Sequence, residues 1–402
     1  SDIFAKCKED GGYFGPWRVQ GDTYFTQPIL EGPAGPHMIF RGKEVLIWSL
    51  NSYLGLTGNL EIKEAVQKTL DEYSTGSPMG SRMLTGNTPQ HIELEERFAE
   101  YMGKEAAMLW NYGYMGVLGV VAALVGEGDT VIVDALSHAS IYDASFLCRG
   151  ERKVFKHNDV EHLDDRLRRI RENNPDSGIL VVTEGVYGMT GDLAPLAEIC
   201  EVKDKYGARF FIDDAHGFGI MGPNGIGAAE HLGCQDKIDL HFGTFAKGFA
   251  AIGGVTGGPK DVIDYIRYNA RTNVFAKSTP MVYVTAIGKA LEIMIREPER
   301  RARMWEITHR LQNGLREIGF DLGNTGSPVT PVYVPAGDAE TGMGMIRILR
   351  EEFGVFVSGV MYPVVPKGVI LFRLIPTAAH TEEDVDRTID AFAKMGKKMG
   401  VL

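Results

Sequence analysis

Two residues thirty-four positions apart frame the chemistry open to this chain: Asp213, at the end of the apolar run in ARFFIDDAHGFGIMG, and Lys247, in HFGTFAKGFAAIGG. Lys247 lies one turn after a strand-like run, behind Thr244 and among Phe245, Ala246, Gly248, Phe249 and Ala250. An ammonium in so apolar a setting loses proton affinity, and the neutral amine is the nucleophile of imine chemistry. The competing reading, an exposed loop lysine, sits badly with those neighbours. Asp213 alone says less. A strand-end acid commonly caps the turn that follows it. A metal site lacks further His and Asp at ligand spacing. A helicase-like box needs a Gly-rich loop ending in Gly-Lys-Ser/Thr, and the chain has none. A dinucleotide site wants its glycines after the first strand, whereas Gly217, Gly219 and Gly222 follow the fourth strand-like run. The spacing of the Asp–Lys pair is the specific signal.

The elements that must hold this pair alternate. Apolar runs at Ala106–Trp110, Thr130–Val133, Ile179–Thr183, Arg209–Ile212 and Leu240–Phe242 read as strands, with helical periodicity at 61–73, 91–102, 160–173 and 196–206. That alternation predicts an α/β fold with a mainly parallel sheet. In such sheets ligands bind at the carboxyl edge. The runs there end in Asn111-Tyr112-Gly113, Asp134…His138, Glu184, Asp213…His216 and Thr244…Lys247. The chain divides into an N-terminal arm over 1–60, irregular at least to residue 44, a large domain over 61–285 and a smaller α+β domain over 286–402. The last holds a long charged helix (297–318), short strands at 330–334, 355–357 and 369–374, and a terminal helix after Thr381.

At 402 residues the chain can bury a large core, and 44% hydrophobic with 24% charged residues is ordinary for a globular protein. A net charge of −11 argues against nucleic-acid or anionic-membrane partners. Cys7, Cys148, Cys200 and Cys234 form no CxxC pair, which argues against structural zinc and a disulfide framework. The longest apolar stretch, 117–125, is about half the ~20 residues that span a bilayer. The first residues carry no apolar export core, so a cytoplasmic location is expected.

Several further motifs surround the pair: Asn51-Ser-Tyr-Leu-Gly-Leu, Gly80-Ser81-Arg82 with Thr85-Gly-Asn87, Asp134-Ala-Leu-Ser-His138, Gly191-Asp192, Asp213-Asp-Ala-His216-Gly, Gly243-Thr-Phe-Ala-Lys247 and Arg373…Pro376-Thr-Ala-Ala-His380-Thr. With these, the chain from about Gly42 to its C-terminus resembles the α-oxoamine synthases, a branch of the fold-type I pyridoxal-phosphate (PLP) enzymes. The resemblance implies an aminotransferase-like fold with a large parallel-sheet domain and a homodimer sharing its active sites.

It also implies roles. Lys247 would carry pyridoxal 5'-phosphate as an imine and then serve as the base at the substrate Cα. Asp213 would pair with the pyridinium N–H, His216 with the ring 3-oxygen, and His138 would stack on the ring; its competing reading is a satisfied helix-start histidine. Backbone amides of Gly113 and Tyr114, the Thr244 hydroxyl and, from the partner subunit, a segment with Ser278 and Thr279 would hold the phosphate. Asn51 and Arg373 would bind the substrate carboxylate, the arginine through its planar fork. Ser81 and Arg82 belong to the expected substrate side, although a structural ion pair is an equal reading of Arg82. No metal is expected. The implied reaction joins an amino acid to an acyl thioester of coenzyme A or acyl carrier protein, with loss of thiol and CO₂.

Four positions depart from the commoner family pattern: Ala246 for Ser, Gly188 for Ser, Tyr112 in a usually Ser/Thr-rich segment, and Lys277 for a small neutral residue. The general run is most similar to serine palmitoyltransferases. Lys277 adds a cation suited to a second anion, as in cysteate, although a surface or phosphate-side cation is the commoner meaning of such a lysine. Serine and cysteate lead to sphingolipid and sulfonolipid synthesis respectively. Glycine- or alanine-using relatives (2-amino-3-ketobutyrate CoA ligase, 5-aminolevulinate synthase, 8-amino-7-oxononanoate synthase) remain alternatives. So do an aminotransferase or aldolase, and an inactive partner subunit.

Overall fold

The computed structural model describes residues 2–8, 23–335, 337–362 and 364–402, so arm residues 9–22 lie outside the described residues. The chain forms two compact units: Asn51–Met304 with Thr325–Ser327, and the remainder.

The larger unit is built on a seven-stranded sheet: β1 (Ala106–Trp110), β2 (Thr130–Asp134), β3 (Glu151–Phe155), β4 (Ile179–Glu184), β5 (Arg209–Asp213), β6 (Leu240–Thr244) and β7 (Gly254–Gly258). Their spatial order is β1-β7-β6-β5-β4-β2-β3. β2 to β6 run parallel, and β7 is antiparallel to both β6 and β1. TVIVD and ILVVTE are buried along their whole length, as strands covered on both faces must be, which is why they stood out in the sequence. β3 and β7 did not. ERKVF is an edge strand whose first two residues are exposed. GVTGG has glycine where neighbours press in: a Cβ on Gly258 would lie 2.4 Å from the Leu240 side chain.

Helix α1 (Leu60–Tyr73) packs against the helix Met281–Arg296, whose inner face buries Met281, Val284, Ile287 and Leu291. This pairing keeps residues 286–304 with the large unit, so the boundary expected at 285/286 is displaced to Met304. Helix α2 (Pro89–Met102) starts at Thr88, whose hydroxyl caps His91 N, and stops at left-handed Gly103. Helices α3 (Gly113–Leu124) and α4 (Ala139–Leu147) follow β1 and β2.

The smaller unit holds an antiparallel sheet of Thr330–Tyr333, Leu371–Leu374 and Ser358–Val360, with Leu371–Leu374 central. A second sheet joins Leu30–Glu31, His37–Phe40 and Lys43–Ile47 to Val355–Phe356. The arm expected to be irregular therefore supplies strands, and its strands belong to this unit and not to a separate segment over 1–60. Trp48, fully buried, explains part of this: its indole stacks on His380 at 4.0 Å and 3° and donates to Thr388 Oγ1 at 2.8 Å. His380 Nε2 lies 3.0 Å from the Ile47 carbonyl, and the Thr377 amide donates to Nδ1. The motif Pro376-Thr-Ala-Ala-His380-Thr is thus a structural lock, followed by a capping box of Thr381 and Asp384 that starts the helix Glu382–Met399.

Candidate active site

β2, β4, β5 and β6 end in Asp134, Glu184, Asp213 and Thr244, all buried at the carboxyl edge of the sheet. Asp213 is 4% exposed and accepts from the Ala215 amide at 3.1 Å. Burial raises its pKa above the ordinary carboxylate value, against the lowering pull of His138 and Lys247. A buried carboxylate this poorly compensated by the protein favours a cation beside it. Glu184 stands next to it. Burial and the Asp213 charge push its pKa up to about 8, against Lys247 and the backbone amides of Gly188 and His138.

Lys247 sits in the connection between β6 and β7, which is pinned from behind. Phe245 and Phe249 are fully buried and pack on Phe98 and Phe218, with ring centroids 5.0 to 5.6 Å apart. Phe245 N bonds Gly253 O at 2.9 Å, and Ala250 N bonds Lys247 O at 3.0 Å. The apolar neighbours read in the sequence are therefore the anchor of the turn. Ala246 is exposed while Lys247 is half-buried.

His216 is 5% exposed, and its Nδ1 lies 2.8 Å from the Tyr53 hydroxyl. A Cβ on Gly188 would lie 2.3 Å from its Nε2, so the histidine ring fills the space that a serine side chain would need. His138 caps α4: its Nδ1 accepts from the Ser140 amide at 3.2 Å. The helix-start reading of His138 is thus a fact of the fold; the residue is exposed, and its hydrogen bonds among the described residues use Nδ1 and not Nε2.

At the start of α3 the N-cap residue, Tyr112, makes no side-chain capping bond among the described residues. A Cβ on Gly113 would lie 3.0 Å from Thr244 Oγ1, so glycine lets this helix start approach the end of β6 without crowding it. Thr244 Oγ1 itself donates to Gly253 O at 3.0 Å. Tyr114 bonds Asp143 through its hydroxyl. Ser278 N bonds Gly80 O at 2.9 Å, and Thr279 Oγ1 donates to Asn111 Oδ1 at 2.8 Å. The Ser278 hydroxyl is buried without a partner among the described residues.

The substrate-side residues separate. Asn51 has its side-chain oxygen buried and without a partner among the described residues; that oxygen only accepts, so a substrate carboxylate would have to be met by the side-chain N–H groups of Asn51. Ser81 closes a turn, its carbonyl accepting from Gly86 N at 2.8 Å. Arg82 is committed elsewhere: its two terminal nitrogens grip Glu95 at 2.9 and 3.0 Å and its Nε donates to Asn87. Glu95 also binds Arg267 and the Leu109 amide. The fork of Arg82 is thus taken up by Glu95, which makes this arginine a structural ion-pair residue. Lys277 is exposed, and its carbonyl accepts from the Asn111 side chain. Arg373 lies on the central strand of the smaller unit's antiparallel sheet.

An undercompensated buried Asp213, an uncapped helix start cradled by Gly113, an orphaned Ser278 hydroxyl and a pinned, half-buried Lys247 fit a phosphorylated pyridine aldehyde. Comparison with known proteins decides the matter. The family model described as aminotransferase class I and II matches residues 43–392. The chain belongs to this family.

Among curated relatives of this family member, the cysteate-C-fatty acyltransferase of Capnocytophaga ochracea is 45% identical over 400 residues, 99% of this chain and 95% of that one. An 8-amino-7-oxononanoate synthase of Symbiobacterium thermophilum is 39% identical over 384 residues, 95% of this chain and 96% of that protein. Among solved structures, a serine palmitoyltransferase of S. paucimobilis with a bound PLP–myriocin adduct superposes with a TM-score of 0.92 at 32% identity, each chain fully covered. Within the family the chain falls among the α-oxoamine synthases, with the fold-type I architecture and pyridoxal phosphate as cofactor. Among the described residues no His/Cys/Asp/Glu group could hold a metal, and no helix is long and apolar enough to cross a membrane.

Sequence reasoning missed Tyr53 and left Glu184 without a role. Tyr53 lay inside the quoted Asn51 motif, but its partner His216 is 163 positions away. Glu184 was visible as a strand-end acid; its neighbour Asp213 is set by strand pairing, which puts the two side by side.

Proposed function

We propose that this acyltransferase joins cysteate to a long-chain acyl thioester, releasing the thiol and CO₂ and giving an α-amino ketone that retains the sulfonate. The single observation that supports this most is the 45% identity, spread over 99% of the chain, with a cysteate-C-fatty acyltransferase.

Bound pyridoxal phosphate supplies an electron sink for negative charge at the amino acid's Cα. The chain's residues do the rest. Asp213 keeps the ring nitrogen protonated. Lys247 Nζ removes the Cα proton and later returns one. His138 and His216 fix the ring from its face and at its 3-oxygen. Asn51 and Arg373 would bind the substrate carboxylate and so orient the bonds at Cα, first for loss of the proton and later for loss of CO₂. The amides at the start of α3 would hold the phosphate, with the Ser278 hydroxyl of the second copy in a homodimer; the Thr244 and Thr279 hydroxyls, which donate to Gly253 O and Asn111 Oδ1, would join by turning their protons toward it. Lys277 supplies the positive charge that a sulfonate calls for. Neither a nucleic acid nor a metal enters this reading.

Titrating the holoenzyme with cysteate, serine, alanine and glycine tests the reading. Cysteate should perturb the cofactor's absorbance at the lowest concentration, and Lys277→Ser should raise that concentration about tenfold for cysteate and not for serine. Saturation by serine first would favour the palmitoyltransferase reading, which the superposition at TM-score 0.92 supports. Saturation by alanine first would favour the oxononanoate synthase reading, which the 39% identity supports. Release of thiol and CO₂ on adding acyl thioester separates all of these from an aminotransferase or aldolase.

A further inference from the structure

A cluster beside the site takes no part in the chemistry above. His157, in the turn after β3, lies between two carboxylates: Nδ1 is 2.9 Å from Asp134 Oδ1 and Nε2 is 2.8 Å from Asp192 Oδ2. Asn158 doubles both contacts. Its amide donates to Asp134 Oδ2 at 2.9 Å, and its side chain donates to Asp192 Oδ2 at 2.9 Å and to the Leu193 carbonyl at 3.1 Å. Asn158 does this at φ +53°, in the left-handed region.

Each carboxylate governs a loop that reaches the candidate site. Asp134 Oδ1 also accepts from the Leu136 amide at 2.8 Å, which shapes the turn from the end of β2 into His138 and α4. Asp192 closes the loop after β4. Its carbonyl accepts from Tyr187 N at 3.0 Å, its carboxylate binds the Thr190 hydroxyl, and Val186 and Leu193 form a bridge at the loop's neck. That loop carries Gly188 against His216 Nε2. The His157 ring meets the Tyr187 ring edge-on at 4.4 Å and 88°, packing the clamp onto the loop's own core.

We infer that His157 is a positioning residue. With Asp134 and Asp192 it locks together the loop that presents His138 and the loop that backs His216, and so sets how the cofactor ring is held. Burial alone would push the imidazole toward neutrality, but the two carboxylates reverse this and raise its pKa to about 9. It therefore serves as a cation at neutral pH. The neutral asparagine at 158 cannot replace that charge.

This rests on the reading of His216 as the partner of the ring 3-oxygen, and the experiment separates the two. Apo-protein of His157→Gln, Asp192→Asn, the double variant and His216→Gln is titrated with pyridoxal phosphate, and the absorbance maximum of the bound cofactor is measured. His157→Gln should weaken cofactor affinity about tenfold and shift the maximum, because Asp134 and Asp192 then repel across the clamp. The double variant, which removes one of those charges, should recover most of both. Asp192→Asn keeps the histidine and tests the loop by itself should His157→Gln fail to fold. If His216→Gln shifts the maximum while His157→Gln and Asp192→Asn lower only the melting temperature, the clamp is purely structural and the inference falls. If His216→Gln leaves the maximum unmoved, the reading of His216 falls first.

Discussion

The Tyr53 hydroxyl and His216 Nδ1 are 2.8 Å apart in a fully buried setting, with Gly188 closing on the other ring nitrogen. The histidine is thus held at one end by a hydrogen bond and at the other by contact with a residue that has no side chain.

Tyr53→Phe removes the partner of a buried nitrogen without changing shape. Loss of this hydrogen bond should cost about 0.5 to 1.5 kcal/mol. The expected outcome is weaker pyridoxal-phosphate binding by the apo-protein, read by titration. Unchanged affinity would mean that the contact with Gly188 alone orients His216.

Lys247→Ala should leave a folded protein, since the turn is anchored by Phe245 and Phe249 and not by the lysine. Turnover should fall at least about a thousandfold, as for loss of a general base with a covalent role. The cofactor's absorbance should change to that of a non-covalently bound aldehyde. Retention of wild-type turnover would refute the assignment.

Arg82→Ala discriminates between the two readings of that residue. The Arg82–Glu95 pair is nearly buried, but Glu95 keeps Arg267 and the Leu109 amide, so removing Arg82 should cost about 1 to 3 kcal/mol, seen as a lower melting temperature. The KM for the amino acid in the folded enzyme should hold. A raised KM at unchanged stability would restore Arg82 to the substrate side.

His380 makes stability fall on the acid side. Burial holds its pKa down to about 4, against an ordinary value of about 6.5. The unfolded chain therefore takes up the proton first. Stability is fully present above about pH 6.5 and is lost as pH falls toward 4, by roughly 3 kcal/mol in all. His380→Gln should lower stability at pH 7 and flatten this acid slope in chemical denaturation. An unchanged slope would show that other groups carry it.

How much of this was legible in the sequence follows from the range of the interactions. The parallel strands and the apolar surroundings of Lys247 could be read because buried strands and a pinned apolar turn write their own composition. The charged edge strand ERKVF and the glycine strand GVTGG could not, because each is defined by a neighbour: one by exposure, the other by the side chains of Phe242 and Leu240 pressing on it.

The site divides in the same way. By itself the sequence determined the residue types at the strand ends, and hence the class of chemistry, since a carboxylate for a ring nitrogen and an amine for an imine are local requirements. Only the tertiary structure decided which residues are tied up in holding the fold. Arg82 is gripped by Glu95, His380 is locked between Trp48 and Ile47, and His157 is clamped between Asp134 and Asp192. Each partner stands between 13 and 333 positions away along the chain. Hydrogen bonds and ion pairs act over a few ångströms of space, and no spacing in the sequence states which distant residues folding will bring within that reach.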